Sequence, residues 1–219
     1  LRAATRNTAA VVADVDPDIL AVVEAEDRPA LVRFNEYVLP RAFKSKRKAW
    51  SFGHVMLIDG NDERGIDVGL FSKDSPIVEM RSHVDDRGKK DELIFSRDCA
   101  EYEVEAGGKR LLLMVNHFKS KGYGNAADND ARRLQQAKRV AELYKKRRKE
   151  GYERIVVMGD LNDTPESKPL APLLGIDELR DVSEHPSFVW GERHGTFGTG
   201  NEKIDYLLLS PALFDLVKA

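Results

Sequence analysis

Cysteine is almost absent from this chain, since Cys99 is the only one among 219 residues. One cysteine cannot form an intrachain disulfide or build a cysteine-based zinc site. No apolar run approaches the roughly 20 residues that a bilayer-spanning helix needs, no segment repeats, and no HExxH zinc motif occurs. The formal net charge is only -2, so the chain as a whole has no electrostatic bias towards nucleic acid or membrane.

The remaining composition, with 42% hydrophobic and 33% charged residues, is typical of a globular domain long enough to bury a large core. Periodicity predicts helices over 5–14, 28–39, 126–150 and 211–217, with a shorter one near 167–175. It predicts strands over 19–23, 54–60, 67–73, 77–84, 93–105, 110–118, 154–162 and 203–210. Helices towards the ends and strands in the middle favour two facing sheets with helices outside.

Polar side chains stand at the ends of four of these apolar strands. They are Glu24 after ILAVV, Asn116 and His117 after LLLMV, Asp160 and Asn162 after IVVM, and Asp205 in KIDYLLL. Side chains at strand ends are held by the sheet yet remain open to solvent. Carboxylate and amide oxygens are the ligands that Mg²⁺, Mn²⁺ and Ca²⁺ prefer. Because side chains two apart on a strand share a face, Asp160 and Asn162 are expected to point the same way.

Each of these residues also has a purely structural explanation. Glu24 can be the solvated end of a strand, and Asp160 with Asn162 can form a turn by bonding to the local backbone. A single histidine such as His117 is more often a satisfied core residue than a catalyst. Asp205 is harder to explain structurally, because a carboxylate on a buried strand is costly unless it is paired. The functional hypothesis rests on the occurrence of all four positions together.

Five segments in order along nearly the whole chain resemble the endonuclease/exonuclease/phosphatase superfamily. They are DPDILAVVEAE at 16–26, RGIDVGLFSK at 64–73, NHFKS at 116–120, GDLNDTP at 159–165 and KIDYLLLSP at 203–211. The resemblance implies an α+β fold, a four-layer α/β/β/α sandwich of two mixed sheets like that of deoxyribonuclease I. It also implies a single domain over 1–219, with its site at one rim of the two sheets.

The resemblance assigns the metal and the attacking water to three residues. Glu24 looks like the metal-binding glutamate, and Asp160 and Asn162 would complete the metal shell. Asp160 resembles the aspartate that aligns or deprotonates water, and Asn162 resembles its partner at the phosphate. The implied cofactor is Mg²⁺, with Mn²⁺ or Ca²⁺ as alternatives.

The remaining roles concern the phosphate. His117 resembles a phosphate-contacting histidine, Asp67 an acid that supports that histidine, and Asp205 the aspartate near the end of the domain. The expected phosphate-binding residues are Arg97, Asn116, Lys119 and Lys121.

Two motifs of the superfamily are absent. An asparagine-bearing strand would precede Leu1, and a Ser-Asp-His strand would follow Ala219. We therefore expect the domain to lack its first and last strands, with Asp205 placed to orient the missing histidine. Loss of one electrostatic donor typically costs about 10²–10³ in rate. The 219-residue chain is thus expected to be weak or inactive, and a version extended at both ends to be a phosphodiesterase.

Three functions fit these residues. A nuclease is ranked first, because Lys119 and Lys121 directly follow a candidate active-site strand. The basic stretch 42–50 could contact a nucleic-acid backbone or could equally be a solvated loop. A phospholipid, sphingomyelin or inositol-phosphate hydrolase is the second. A non-catalytic module that binds a phosphorylated or protein partner is the third, although a scaffold needs none of the retained acids. Nothing indicates a transmembrane segment or an obligate protein partner.

Overall fold

A computed structural model describes residues 2–43, 51–192 and 194–218. The helices are α1 Arg2–Val15, α2 Arg28–Arg33, α3 Leu39–Ala42, α4 Ala126–Lys149, α5 Ala171–Leu174 and α6 Pro211–Phe214. The strands are β1 Ile19–Ala25, β2 His54–Ile58, β3 Asp67–Ser72, β4 Ile77–Arg81, β5 Cys99–Ala106, β6 Lys109–His117, β7 Ile155–Asp160, β8 Arg180–Asp181 and β9 Asp205–Leu209. Most of the basic stretch 42–50 lies outside the described residues.

The strands form two sheets of unequal size. The smaller has the order β1-β3-β2 and is antiparallel throughout. The larger has the order β4-β5-β6-β7-β9-β8, and only its β6–β7 pair is parallel. A parallel pair needs a long crossover connection, which α4 supplies. The larger sheet is therefore mixed, as the resemblance implies, whereas the smaller sheet is not.

Three apolar clusters separate four layers. Helices α1–α3 cover the smaller sheet around Leu39 and Phe71. The two sheets meet around Leu70 and Tyr102, and the larger sheet packs on α4 and α5 around Met114. The four-layer α/β/β/α sandwich is confirmed.

Alternation along the strands determines which side chains reach the space between the sheets. On β6, Leu112 and Met114 pack under α4, whereas Leu113 and Val115 face the smaller sheet. By the same alternation His117 faces the smaller sheet, at the end of the strand. This parity explains how polar residues come to stand at one rim of an apolar interface.

The predicted helix over 28–39 is interrupted. A π-helical turn, Phe34–Val38, separates α2 from α3. Proline cannot donate the next helical hydrogen bond, and its ring clashes with the carbonyl four residues before it. Pro40 at the start of α3 therefore accounts for the widened turn.

Helix α4 buries more charge than its sequence suggests. Ala137, Ala141 and Tyr144 form a buried stripe along the helix. Cations on so charged a helix usually face solvent, but Arg133 is 1% exposed and Arg147 is 7% exposed. Arg133 is directed at the loops that follow β6 and β7, so this helix bears directly on the site.

Candidate active site

Three polar residues form one row across neighbouring strands of the larger sheet. His117 on β6 pairs with Asp160 on β7, and Asp160 pairs with Asp205 on β9. Paired residues in adjacent strands point to the same face. His117 Nε2 lies 3.8 Å from Asp160 Oδ2. The structure thus brings together three of the residues expected from sequence.

Gly159 allows β7 to pass close to β6 just before this row. Its φ is +126°, a conformation that side chains rarely adopt, and a β-carbon there would overlap the backbone oxygen of Asn116. The close approach of these strands sets the spacing between His117 and Asp160. Glycine is therefore required by packing as well as by backbone conformation.

Replacing Gly159 by alanine is expected to destabilise the fold by more than the roughly 1–3 kcal/mol of backbone strain alone, because the clash adds to it. The matched control is Gly151→Ala, where φ is +93° but no atom lies within 4 Å of the added β-carbon. Urea unfolding of both variants separates the two effects. Equal losses of stability would show that the contact with Asn116 does not matter.

The turn after β7 uses one oxygen of Asp160 for structure and leaves the other available for function. Asp160 Oδ1 accepts from the Asn162 backbone N–H at 2.8 Å, and Asn162 adopts φ +54°. This contact is the Asx-type turn expected from the sequence. It uses only one oxygen of Asp160, so Oδ2 remains on the side of His117. Asn162 Nδ2 donates to Phe118 O at 3.1 Å, which leaves the amide oxygen as the atom that can bind a ligand.

Glu24 lies at an irregularity near the end of β1. The pairing register with β3 shifts between Val22 and Ala25, and Glu24 itself has φ +58°. A left-handed conformation in a residue other than glycine costs free energy, and such residues cluster at functional sites. Because of this bulge the Glu24 side chain lies outside the apolar interface between the sheets, and it is exposed to solvent.

The Asp160 carboxylate is affected by the nearby carboxylates of Glu24 and Asp205. Burial, followed by the negative charges of Asp205 and Glu24, raises the pKa of Asp160 to about 6, against the lowering effects of the Asn162 N–H and of Arg97. Among the described residues, the Asp205 carboxylate forms no hydrogen bond or ion pair. The negative charges of these carboxylates are therefore only partly neutralised by neighbouring groups.

Arg97 is the cation beside His117. Its Nε donates to His117 Nδ1 at 3.3 Å, and its Nη2 lies 3.1 Å from Nε2. Burial, followed by the charges of Arg97 and Arg64, lowers the pKa of His117 to about 3. The ring is therefore neutral at neutral pH, and the fixed positive charge at this end of the row belongs to Arg97.

The structure places Asp67 away from the contacts of His117. Asp67 Oδ1 accepts from the Gly60 backbone N–H at 2.7 Å. The acid that pairs with Arg97 is Asp62, at 3.4 Å from Nη1. Arg97, rather than Asp67, is thus the neighbour that positions the imidazole, and Asp67 instead fixes the backbone at Gly60.

The expected phosphate-binding residues separate into two groups. Lys119 lies in a cleft next to Arg97, whereas Lys121 Nζ pairs with Asp163 at 2.6 Å. The Asn116 side chain is buried on the helix side of the sheet, where Nδ2 donates to Met114 O at 2.9 Å and Oδ1 has no partner among the described residues. Strand alternation therefore keeps Asn116 out of the row that contains His117.

Arg133 is a site-supporting residue that the sequence did not reveal. It donates to Asp163 Oδ2 and to Lys119 O, each at 3.0 Å, and it also contacts Asp130. These contacts tie α4 to the loops after β6 and β7. In the sequence Arg133 is one of many cations on a charged helix, so no local signal distinguishes it.

The donor set fits a hard divalent cation. No three His, Cys, Asp or Glu side chains in the described ranges converge closely enough to hold an ion by themselves. Mg²⁺, however, is usually held by one or two carboxylates and completes its shell with water and phosphate oxygens. Glu24 and Asp160 supply such carboxylates, and the Asn162 amide oxygen is a further hard ligand. A cation would also relieve the repulsion that raises the pKa of Asp160.

Comparison with known proteins gives the family. Residues 1–218 match the Endonuclease/Exonuclease/phosphatase family. The chain therefore belongs to this family, whose members are phosphoesterases that generally depend on divalent metals. A search of curated proteins finds no match. No helix in the described part of the chain is long and apolar enough to cross a membrane.

Solved structures share the fold at low identity. A mannosyl-6-phosphatase, Bt3783 of Bacteroides thetaiotaomicron, has a TM-score of 0.68 and 17% identity over 95% of this chain and 76% of its own. Truncated TDP2 of Caenorhabditis elegans has a TM-score of 0.60 and 16% identity, over 94% and 75%. Sphingomyelinase C of Streptomyces griseocarneus has a TM-score of 0.58 and 19% identity, over 94% and 77%. Because these proteins differ in their named activities, the shared fold does not select a substrate.

Proposed function

We propose that this protein is a divalent-metal-dependent phosphodiester hydrolase that acts on nucleic acid. The observation that carries this proposal is the row of His117, Asp160 and Asp205, flanked by the buried cation Arg97. A carboxylate that can align water and a cation that can face phosphate oxygens are the two groups that hydrolysis of a diester requires.

Each side chain has a defined task in this mechanism. Asp160 orients the attacking water through Oδ2 and accepts its proton. Neutral His117 donates a ring N–H to a non-bridging phosphate oxygen. The positive charge of Arg97 stabilises the negative charge that develops on the phosphoryl oxygens in the transition state. Asn162 would act at the phosphate through the divalent ion, as a ligand by its amide oxygen, because its Nδ2 donates to Phe118 O. A bound divalent ion would neutralise phosphate oxygens, with Glu24, Asp160 and Asn162 as its protein ligands.

Nucleic acid is preferred as the substrate because of the charge distribution around the row. On the β5–β6 side, Arg97 and Lys119 lie at the wall of an open cleft that also contains Arg64 and Arg132. Binding to a polyanionic backbone is dominated by such cationic contacts. The positive potential is local, since the net charge of the whole chain is -2.

A lipid phosphodiester is the second candidate, supported by the loop on the β9 side. Phe188 is 36% exposed, Val189 83% and Phe197 57%. Thr196 Oγ1 accepts from the Asp205 backbone N–H at 3.1 Å, so this apolar loop borders the row directly. Exposed apolar groups beside a site can contact the interface of a membrane.

The proposal is tested by hydrolysis of plasmid DNA, RNA, bis-p-nitrophenyl phosphate and sphingomyelin vesicles, with Mg²⁺ or Mn²⁺ and with EDTA. We expect metal-dependent cleavage of the nucleic acids and of the chromogenic diester. Cleavage of the vesicles alone would favour the lipid candidate. Binding of DNA with no cleavage of any substrate would favour a non-catalytic module.

A further inference from the structure

A cleft with more cationic than acidic side chains lies next to the row of His117, Asp160 and Asp205. It has a volume of about 700 Å³. Its walls come from the β2–β3 loop, the segment before β5, the loop after β6 and helix α4. The four cationic side chains in its lining are Arg64, Arg97, Lys119 and Arg132, and the two acidic ones are Asp62 and Glu63.

Two of these cations lack an acidic partner. Asp62 pairs with both Arg64 and Arg97. Among the residues that the structure describes, Lys119 and Arg132 form no ion pair. Lys119 Nζ donates to the Tyr123 backbone oxygen at 3.1 Å.

Arg132 shows the imbalance most clearly. Its Nη2 donates to Leu93 O at 2.9 Å, while its buried Nε has no hydrogen-bond partner among the described residues. A buried donor without a partner costs free energy, and a charged donor costs more. Such a group in a native cleft is explained if a ligand completes its contacts.

The electrostatic environment of Lys119 indicates an anion as that ligand. Burial, followed by the positive charges of four arginines, lowers the pKa of Lys119; they are Arg97, Arg64, Arg132 and Arg133. The fold thus holds Lys119 in a half-buried position among like charges, of which Arg132 has no acidic partner among the described residues. A bound anion would remove this repulsion.

The position of the cleft indicates which anion. Arg97 belongs both to the cleft lining and to the contacts of His117. A molecule whose scissile phosphate lies at the row can therefore place a neighbouring anionic group among Arg64, Lys119 and Arg132. Arginine is well suited to phosphate because its planar fork can donate two parallel hydrogen bonds.

Tyr123 adds a flat apolar surface at the mouth of the cleft. Its backbone oxygen accepts from Lys119 Nζ and from Asn129 Nδ2, the latter at 2.8 Å. The residue itself is 74% exposed. A fixed backbone with an exposed ring suits stacking on a base, which typically contributes about 1–3 kcal/mol per base.

We propose that this cleft binds a second phosphate of the substrate, adjacent to the scissile phosphate, through Arg64, Lys119 and Arg132. This inference rests on the proposed function, because it takes the row as the place of the scissile phosphate. It narrows the substrate class to molecules that carry two neighbouring phosphates. A nucleic-acid strand and a polyol bisphosphate both have this chemistry.

Calorimetric binding tests the inference without requiring turnover. The probes are thymidine 3′,5′-bisphosphate and the two thymidine monophosphates, measured with Mg²⁺. We expect the bisphosphate to bind at least about 10-fold more tightly than either monophosphate, the effect of one charge-assisted contact. Arg132→Gln is expected to remove most of this advantage. Lys145→Gln, an exposed position on the same helix, should leave it unchanged.

Lys119→Gln provides a second variant if Arg132→Gln does not fold, and it should reduce the advantage in the same way. Equal affinity for the bisphosphate and the monophosphates, or an advantage that survives both variants, would overturn the proposal.

A further arm identifies the source of the phosphate. Inositol 4,5-bisphosphate, whose two phosphates are on adjacent ring carbons, binds as tightly as the nucleotide if the substrate is a polyol. If a base stacks on Tyr123, Tyr123→Leu weakens the binding of the nucleotide and leaves the binding of the inositol bisphosphate unchanged. A bisphosphate preference in a protein that hydrolyses no diester would refute the proposed function and leave the cleft as an anion site.

Discussion

Replacing Asp160 by asparagine is expected to lower kcat for bis-p-nitrophenyl phosphate by about 10²–10⁴-fold, the usual contribution of a positioned general base. The amide retains an oxygen that can accept from the Asn162 N–H, as Oδ1 does at 2.8 Å in the wild type. The turn after β7 is therefore preserved, and only the negative charge and the proton-accepting oxygen are lost. The measurement is steady-state hydrolysis with Mg²⁺ present.

The Asp160→Asn variant should be at least as stable as the wild type. The raised pKa of Asp160, about 6 through burial and the charges of Asp205 and Glu24, means that the folded state disfavours the ionised carboxylate. Above that pH the neutral amide removes this penalty. We therefore expect the free energy of unfolding at pH 8, without added metal, to stay equal or rise.

Asp177→Asn, at an exposed position, is the matched control and should change neither kcat nor stability. Full activity in the Asp160 variant would exclude this residue from the chemistry. Lost activity accompanied by a large loss of stability would mean that Asp160 acts through the fold.

The second large effect is expected from Arg133→Met. Arg133 is 1% exposed and Asp163 3% exposed, and they are joined at 3.0 Å. Removing one partner of a buried ion pair typically costs about 3–5 kcal/mol. The lower end of this range is expected here, because Asp163 keeps its contact with the exposed Lys121. Chemical denaturation of the variant should show a loss of this size. The loops after β6 and β7 should also lose their common anchor, so kcat should fall as well.

Lys145→Met provides the control on the same helix, where the side chain is exposed and a change within about 0.5 kcal/mol is expected. The double variant Arg133→Met with Asp163→Leu tests the cause. It should recover part of the lost stability, since neither charge then remains unpaired. A loss below about 1 kcal/mol in the single variant would contradict the assigned role of Arg133.

Much of the site could be predicted because strand alternation is a local property. His117 and Asp160 are the last residues of β6 and β7, and Asp205 is the first residue of β9. Once the strands pair in register, the parity places all three side chains on the same face. The layered fold follows from the same periodicity, together with the single long helix between β6 and β7.

The remainder depended on contacts that no local pattern encodes. The pairing of Arg97 with His117 and Asp62 joins residues far apart in the chain, so the expected role of Asp67 could not be checked from spacing. The burial of Arg133 was hidden because cations on a long helix resemble a solvated face. The left-handed conformation of Glu24 arises from a bulge in the pairing with β3.

Hydrolysis of bis-p-nitrophenyl phosphate in ¹⁸O-labelled water tests the central claim most directly, because that claim is attack on phosphorus by a water molecule that Asp160 aligns. Mass spectrometry of the products, with Mg²⁺ present, locates the label. The proposed mechanism predicts one ¹⁸O atom in each p-nitrophenyl phosphate released and none in p-nitrophenol, with the rate falling by about 10²–10⁴-fold in Asp160→Asn. Label in p-nitrophenol, or an undiminished rate in the variant, would contradict it.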